Sequence, residues 1–267
     1  MRKAKIWCII YKGDKPKLRG LRRGSDNFCN PRKVVIFLRI NVLGIGIDHI
    51  TMEDAVKTAL SYTNNGNLVF TPNPEIIMSA QNDEQMKEVL NGGDLVLPDG
   101  IGVVIASKIL KQPLPERVPG FDFCCNLMEQ DKTFYFFGGK PGVAETAAQK
   151  MLQKGVKVVG THHGYFEDDT EIINDINEKN PDVLLVCLGM GKQEKWMWEN
   201  RYRLNTRIMV GAGGTLDVLA GNVKRAPKIF QKLNLEWLYR VIQQTSRIPR
   251  IMLLPKFLLK VIFKGEK

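Results

Sequence analysis

Two short apolar runs in the first half of the chain each end in a polar turn whose side chains could do chemistry. Residues 68–70 are followed by Thr71 and Asn73 in the segment TPNP, and residues 95–97 are followed by Asp99 in the segment PDG. In open α/β sheets, ligands bind in the crevice beyond the carboxyl ends of the strands. We therefore expect these three side chains to be neighbours at one crevice. Together they suit transfer chemistry on a charged small molecule.

Asp99 has two interpretations. It could cap the helix that is predicted to follow it, a contribution of about 1 kcal/mol. Because it lies between Pro98 and Gly100, with little side-chain bulk around it, it could instead be an exposed general base. Arg117 lies between two prolines in the segment PERVP, a stiff loop from which a cation can reach the same crevice. The residues alone leave both interpretations of Asp99 open.

Three glycine-rich turns follow further apolar runs. They are Gly138-Gly139, Gly189-Met190-Gly191 and Gly211-Ala212-Gly213-Gly214. Free backbone N–H groups at helix starts bind phosphate, and glycine allows a ligand to approach closely. None of the turns matches GxGxxG or GxxxxGK[ST], so dinucleotide and Walker-type sites are not supported. Each turn alone is compatible with a structural role, but three at one sheet edge indicate at least one diphosphate contact, with Gly138, Gly139 and Gly213 as candidates.

Gln193 and Glu194 stand at the start of the helical segment after the second glycine turn. They are either ordinary polar residues of a first helical turn or ligand contacts, and we keep them as candidate substrate-binding residues. The five cysteines show no CxxC or Cys/His ligand spacing, so we expect neither a disulfide framework nor a metal site. Cys187, inside an apolar run, is interpreted as a buried small hydrophobic residue. This cysteine usage predicts a reducing, cytoplasmic setting.

From residue 41 onward, strand-like runs alternate with helical patterns, which predicts an α/β fold: a Rossmann-like, doubly wound, mostly parallel sheet. The segment VLGIGID (42–48) is predicted to be one buried strand. Thr51 with Asp54 resembles a capping box, and Pro74 suits the first position of a helix. The polar, Lys/Arg-rich stretch 13–32 shows no periodicity.

The net charge of +11 is unevenly distributed and suggests three regions. Residues 1–40 carry 12 Lys and Arg against 2 acids, residues 41–223 carry 16 against 24, and residues 224–267 carry 11 against 2. We predict a basic N-terminal extension (1–40), an α/β domain (41–233) and a basic helical C-terminal appendage (234–267). The extension is either a flexible basic arm or not part of the working domain.

The appendage reads as two helices, near 235–244 and 251–263, with apolar residues among cations. This pattern is typical of an amphipathic surface at a membrane interface, and each cation near anionic lipid contributes roughly 1 kcal/mol. The alternative is a helix pair docked on the domain with its cations outward. No uncharged apolar run reaches the ~18–20 residues of a spanning helix.

Seven segments, in order and without large gaps over residues 41–267, resemble the WecG/TagA/CpsF glycosyltransferases, family 26. They are TPNPE (71–75), DLVLPDGIGVV (94–104), PERVPG (115–120), FFGGKPG (136–142), LGMGKQEKW (188–196), GAGGTLDVLAG (211–221) and LEWLYRVIQQTSRIPR (235–250). The ending LPKFLLKVI is most similar to the TagA branch of teichoic-acid synthesis. Two features depart from the pattern: residues 1–40 have no recognised counterpart, and Met190-Gly191 stands where the family often has a small residue and proline.

The resemblance implies an inverting transfer of N-acetylmannosamine from UDP-N-acetylmannosamine to undecaprenyl-diphospho-N-acetylglucosamine. It implies that Asp99 is the catalytic base and that Thr71 and Arg117 are active-site residues. It also implies that the appendage contacts an anionic membrane surface and helps to complete the site with arginines, for which Arg240, Arg247 and Arg250 are the candidates. No metal or other cofactor is implied, and the expected location is the inner face of the cell membrane.

Two rival functions stay open at this point. A related transferase could use UDP-N-acetylmannosaminuronic acid or another UDP-sugar for surface polysaccharide or capsule, because a single Arg or Lys could meet the extra carboxylate. A non-catalytic basic binding module, for nucleic acid, lacks interleaved aromatic residues and any known reader motif, so we expect no nucleic-acid partner. The sequence also leaves the oligomeric state open, a homo-oligomer included.

Overall fold

The computed structural model describes residues 7–11, 16–20, 38–243 and 253–265. The chain divides into two compact units, Met1–Arg39 and Ile40–Lys267. In the first, strand β1 (Trp7–Tyr11) pairs antiparallel with β2 (Pro16–Gly20). Strand β2 lies within the stretch 13–32, whose sequence shows no periodicity. Sheet pairing uses backbone groups, which every residue except proline carries in full, so it does not require side-chain periodicity.

The rest of the chain alternates strands and helices. The strands are β3 (Arg39–Val42), β4 (Ile45–Asp48), β5 (Asn67–Phe70), β6 (Leu95–Val96), β7 (Thr133–Gly138), β8 (Lys157–His162), β9 (Val183–Cys187) and β10 (Ile208–Gly211). The helices are α1 (Met52–Leu60), α2 (Pro74–Ser79), α3 (Glu84–Asn91), α4 (Ile101–Ile109), α5 (Gly120–Met128), α6 (Val143–Leu152), α7 (Thr170–Lys179), α8 (Lys192–Asn200), α9 (Thr215–Ala220), α10 (Lys228–Lys232), α11 (Glu236–Gln243) and α12 (Leu253–Gly265). A 3-10 turn, Ala80–Asn82, links α2 to α3.

Six strands form one parallel sheet in the order β6-β5-β10-β9-β7-β8. All five residues of β9 are buried, as expected for a strand covered on both faces. The predicted Rossmann-like α/β fold is confirmed. Because the strands are parallel and in register, the turns that follow β5, β6, β7, β9 and β10 all lie at the carboxyl edge of the sheet.

The predicted single strand over 42–48 is instead a pair of strands. β3 and β4 are paired with each other in a separate two-stranded sheet. Leu43 and Gly44 between them have φ values of +54° and +91°, and the Asn41 side chain accepts a hydrogen bond from the Gly44 N–H at 2.7 Å. The apolar run conceals this turn because Leu43 is not a usual turn residue, whereas Gly44 and Asn41 are.

Two predicted helix starts are confirmed. The Thr51 hydroxyl accepts the Asp54 N–H at the start of α1. Pro74 is the first residue of α2, where its missing N–H has no intrahelical partner to lose. The cap of α2 is Asn73, whose side-chain oxygen accepts the Ile76 N–H at 3.1 Å.

The last helix packs on the helices that follow the two polar turns. α12 contacts α4 and α2, and its Phe257 and Val261 are fully buried. Its other side exposes Leu259, Ile262 and Phe263. The helix therefore combines a docked face with an exposed apolar face, so the two interpretations of the appendage are compatible. Among the described helices, none has the length and apolar character needed to cross a membrane.

Candidate active site

A cavity of about 1190 Å³ lies at the carboxyl edge of the sheet. Turns after all six strands of the parallel sheet contribute to its lining, and α11 and α12 add Trp237, Val241, Leu253 and Leu254. Single small-molecule sites usually measure roughly 300–1,000 Å³. The cavity is therefore large enough for two substrates, and the C-terminal helices form part of its wall.

The first polar turn joins two strands at the cavity. Thr71 is buried, and its hydroxyl donates to the Gly211 carbonyl at 3.0 Å, which ties the end of β5 to the end of β10. A Cβ atom on Gly120 would lie 2.9 Å from the Thr71 hydroxyl oxygen, so glycine is needed there. Asn73 also lines the cavity, while its amide oxygen caps α2.

Asp99 does not cap the helix that follows it. The cap position of α4 is Gly100, with φ +85° and no side-chain hydrogen bond, so Asp99 lies one residue outside the helix. Asp99 lines the cavity and is partly buried. A Cβ on Gly100 would lie 3.3 Å from the Pro74 ring, which brings the two polar turns into contact.

Arg117 reaches the same cavity from a loop that is attached to the Asp99 turn. The Val118 N–H donates to the Pro98 carbonyl at 3.0 Å, so the residues next to Arg117 and Asp99 are hydrogen-bonded to each other. The Arg117 side chain is only 14% exposed and donates to Glu236 at 2.7 Å. The structure therefore places a carboxylate and a cation on two joined turns at one cavity.

The glycine turns differ in their roles. Gly139 and Gly213 line the cavity. Gly138 lies below it: φ is +130°, and a Cβ there would lie 2.3 Å from the Cys187 carbonyl oxygen. Glycine at 138 is thus required by close packing of two strands, whereas a Cβ on Gly213 would meet no atom within 4 Å. Gly139 and Gly213 are the better candidates for a phosphate contact.

Gln193 and Glu194 support these turns from below. Gln193 lines the cavity, and its side-chain oxygen accepts the Gly213 N–H at 3.2 Å. Glu194 is 1% exposed; its carboxylate accepts the Gly191 N–H and the Gln193 amide. Burial raises the pKa of Glu194, and the two hydrogen bonds oppose this rise. The structure gives Glu194 a supporting position beneath the loop rather than one along the cavity.

Three further cations line the cavity and were not predicted from the sequence: Lys140, Lys192 and Arg225. Lys140 and Lys192 each directly follow a glycine turn, and this position next to a candidate phosphate-binding turn could have indicated them from the sequence. The Lys192 ammonium lies 4.8 Å from the centre of the Phe166 ring. Arg225 lies in the loop between α9 and α10, where no motif indicates a role. With Arg117, these residues give the cavity several groups that suit an anionic ligand.

Cys187 lines the cavity but is poorly suited to nucleophilic catalysis. Burial raises its pKa to about 12, so the unreactive thiol dominates at neutral pH. Among the described residues, no group of three or more His, Cys, Asp or Glu side chains is arranged to hold a metal ion.

The three C-terminal arginines lie at the limit of what the structure describes. Arg240 belongs to α11, which contributes to the cavity wall, but its side chain is outside the described part. Arg247 and Arg250 lie outside the described residues.

A carboxylate, nearby cations and glycine turns at the carboxyl edge of a parallel sheet define an α/β enzyme site for transfer reactions of a phosphorylated substrate. Comparison with known proteins makes this class specific. The chain belongs to the glycosyl transferase WecG/TagA/CpsF family, whose model matches residues 40–266. The predicted resemblance is confirmed.

Similar curated proteins come from several strains of Staphylococcus aureus. In strains MRSA252, MW2 and NCTC 8325 they are named N-acetylglucosaminyldiphosphoundecaprenol N-acetyl-beta-D-mannosaminyltransferase. Each is 35% identical to this chain over 233 residues, which cover 84% of this chain and 92% of the relative. The match therefore extends over almost the whole length of these enzymes.

Proposed function

We propose that this glycosyltransferase moves N-acetylmannosamine from UDP-N-acetylmannosamine to undecaprenyl-diphospho-N-acetylglucosamine, with inversion, in teichoic-acid synthesis. The names of the relatives support the sugar and the acceptor. The observation that carries the chemistry is the joined pair of turns, which brings Asp99 and Arg117 to one cavity through the Val118–Pro98 hydrogen bond.

In the proposed reaction, Asp99 accepts the proton of a hydroxyl group on the acceptor. The oxygen of that hydroxyl group attacks the anomeric carbon of the donor. The bond from that carbon to the diphosphate oxygen breaks, and UDP leaves with the bonding electrons. Arg117 and N–H groups of the turns at Gly139 and Gly213 stabilise the negative charge that develops on the leaving diphosphate. One base and one stabilised leaving group are sufficient for a single inverting displacement.

Thr71 and Gln193 hold the cavity in shape in this proposal. Thr71 fixes β5 to β10, and Gln193 holds the Gly213 turn, as their hydrogen bonds indicate. Asn73 contacts the substrate beside Asp99. Both polar turns thereby keep a fixed distance from the glycine turns, which a transfer between two bound substrates requires.

We assign the transferase domain to residues 41–233 and the appendage to residues 234–267. The appendage would hold the enzyme at the inner face of the membrane, where the lipid acceptor is found, with Arg240, Arg247 and Arg250 near the site. Exposed Leu259, Ile262 and Phe263 on α12, together with its lysines, support this location.

The test is release of UDP from UDP-N-acetylmannosamine with a lipid-diphospho-N-acetylglucosamine analogue. We expect release that depends on the acceptor. Release only with UDP-N-acetylmannosaminuronic acid would keep the mechanism and change the donor. No release with either donor, with membranes present, would contradict the proposed function.

A further inference from the structure

Four charged side chains from separate parts of the chain meet at one side of the cavity. Arg117 Nη2 donates to Glu236 Oε2 at 2.7 Å, and Arg225 Nη2 forms an ion pair with Asp122 Oδ1 at 2.6 Å. Arg225 Nε lies 3.5 Å from Glu236 Oε1. The two oxygens of the Glu236 carboxylate therefore face two different guanidinium groups.

The position of this carboxylate is suited to an anion with several oxygens. Arg117 and Glu236 are 14% and 15% exposed, so their pairing is largely protected from water. Arg225 is held in place by the ring of Phe121, whose centroid lies 4.7 Å from the guanidinium carbon. Planar guanidinium groups match the geometry of phosphate as well as that of carboxylate.

Glu236 reaches the two arginines from a different part of the molecule. It is in the first turn of α11, which packs against α10, whereas Arg117 precedes α5 and Arg225 follows α9. Removing the largely buried Glu236 carboxylate without a replacement would deprive Arg117 and Arg225 of an anion that both contact, which costs stability. Replacing it with another anion keeps them paired, so an exchange of anions avoids that cost.

We propose that Arg225 is a second diphosphate-binding residue of the transfer reaction and acts together with Arg117. The Glu236 carboxylate occupies the position between them until the diphosphate of the substrate displaces it. The inference rests on the proposed function, which supplies the UDP-sugar. It follows that binding of the donor breaks the ion pairs that hold α11 to this side of the cavity.

The test is the dissociation constant of UDP, measured by calorimetry for the intact protein and for R225Q, E236Q and R201Q. R201Q is the matched control, because Arg201 also pairs with a part-buried carboxylate, that of Asp94, and does not line the cavity. We expect R225Q to weaken UDP binding by about tenfold or more, the usual effect of losing a hydrogen bond between charged groups. R225Q should weaken the binding of UMP, which lacks the second phosphate, much less than that of UDP. R201Q should bind UDP as the intact protein does.

E236Q gives a result of opposite sign for the two roles that Glu236 could have. If its carboxylate competes with the diphosphate, the neutral amide should strengthen UDP binding. If Glu236 only supports the arginines, E236Q should weaken it, and that result would overturn the proposal.

Equal UDP binding by R225Q and R201Q would also overturn it. If R225Q does not fold, R225K keeps the charge but loses the planar fork; an intermediate loss supports the proposal, and unchanged binding overturns it. Absence of UDP binding by the intact protein would contradict the proposed function together with this assignment. Normal UDP binding that R225K and R225Q leave unchanged would overturn this assignment alone.

Discussion

Asp94 and Asp99 flank the same short strand, β6, and lie at opposite edges of the sheet. Asp94 accepts the Leu68 N–H at 2.9 Å and pairs with Arg201 at 2.8 Å. Asp182, before β9, accepts the Thr133 N–H in the same way at 2.9 Å. At the amino edge of the sheet, where the parallel strands begin, carboxylates thus accept hydrogen bonds from backbone N–H groups at the strand starts.

At the carboxyl edge, the same residue type opens onto a cavity. Asp99 lines that cavity next to the loop of Arg117 and takes no part in capping α4. Both edges therefore contain an aspartate near an arginine, but the large cavity lies at the carboxyl edge. Position relative to strand direction, rather than residue type, therefore separates a structural ion pair from a candidate catalytic pair.

The largest expected effect comes from D99N, which keeps the shape of the side chain and removes its basicity. We expect kcat for acceptor-dependent UDP release to fall by about 10²–10⁴-fold, the usual contribution of a general base. The melting temperature should change little, because asparagine keeps the size and shape of the aspartate side chain. Turnover like that of the unchanged enzyme would refute the assignment of Asp99 as the base.

R201Q is the matched variant at the amino edge and should show the opposite pattern. Removing the arginine leaves Asp94 without its cation, and we expect a loss of about 1–3 kcal/mol in the free energy of unfolding. The kcat should stay within the error of the assay when measured well below the melting temperature. A large loss of kcat without loss of stability would mean that the two edges are not functionally separate.

The smallest expected effect concerns Glu194, the buried acid beneath the second glycine turn. Burial raises its pKa in the folded state above the ordinary value, so the folded protein binds more protons than the unfolded chain between these two values. Stability should therefore fall as pH rises through this window and stay level above it. E194Q should remove that fall, with a change of no more than about 1–2 kcal/mol at neutral pH.

The check is urea unfolding of both proteins between pH 4 and 8. A parallel fall in stability for E194Q and the unchanged protein would show that Glu194 is not the titrating group. Weaker UDP binding by E194Q at unchanged stability would move Glu194 from a supporting role to a ligand contact.

The sequence was sufficient for those features that depend on local pattern. The alternation of apolar runs with helical stripes predicts the parallel sheet, and strand direction then brings Thr71, Asp99 and Gly213 to one edge. Motifs around these residues also identified the family. Local chemistry likewise predicts the cap at Thr51 and the helix start at Pro74.

Features that depend on long-range packing could not be predicted in this way. Glu236 meets Arg117 across 119 positions of sequence, and no local pattern indicates that contact. Gly138 resembles the other turn glycines, although its role is to let the backbone approach Cys187. The division of residues 42–48 into two strands depends on positive φ values at both Leu43 and Gly44, and leucine is a residue type that does not indicate a turn.

The most direct test of the proposed site is an experimental structure of the protein with UDP bound. We expect the diphosphate at the carboxyl edge, within hydrogen-bond distance of Arg117 and of N–H groups in the Gly139 or Gly213 turns. The site of the departed sugar should then face Asp99. UDP bound with its diphosphate away from Arg117 and these turns would contradict the assignment of this cavity as the transfer site.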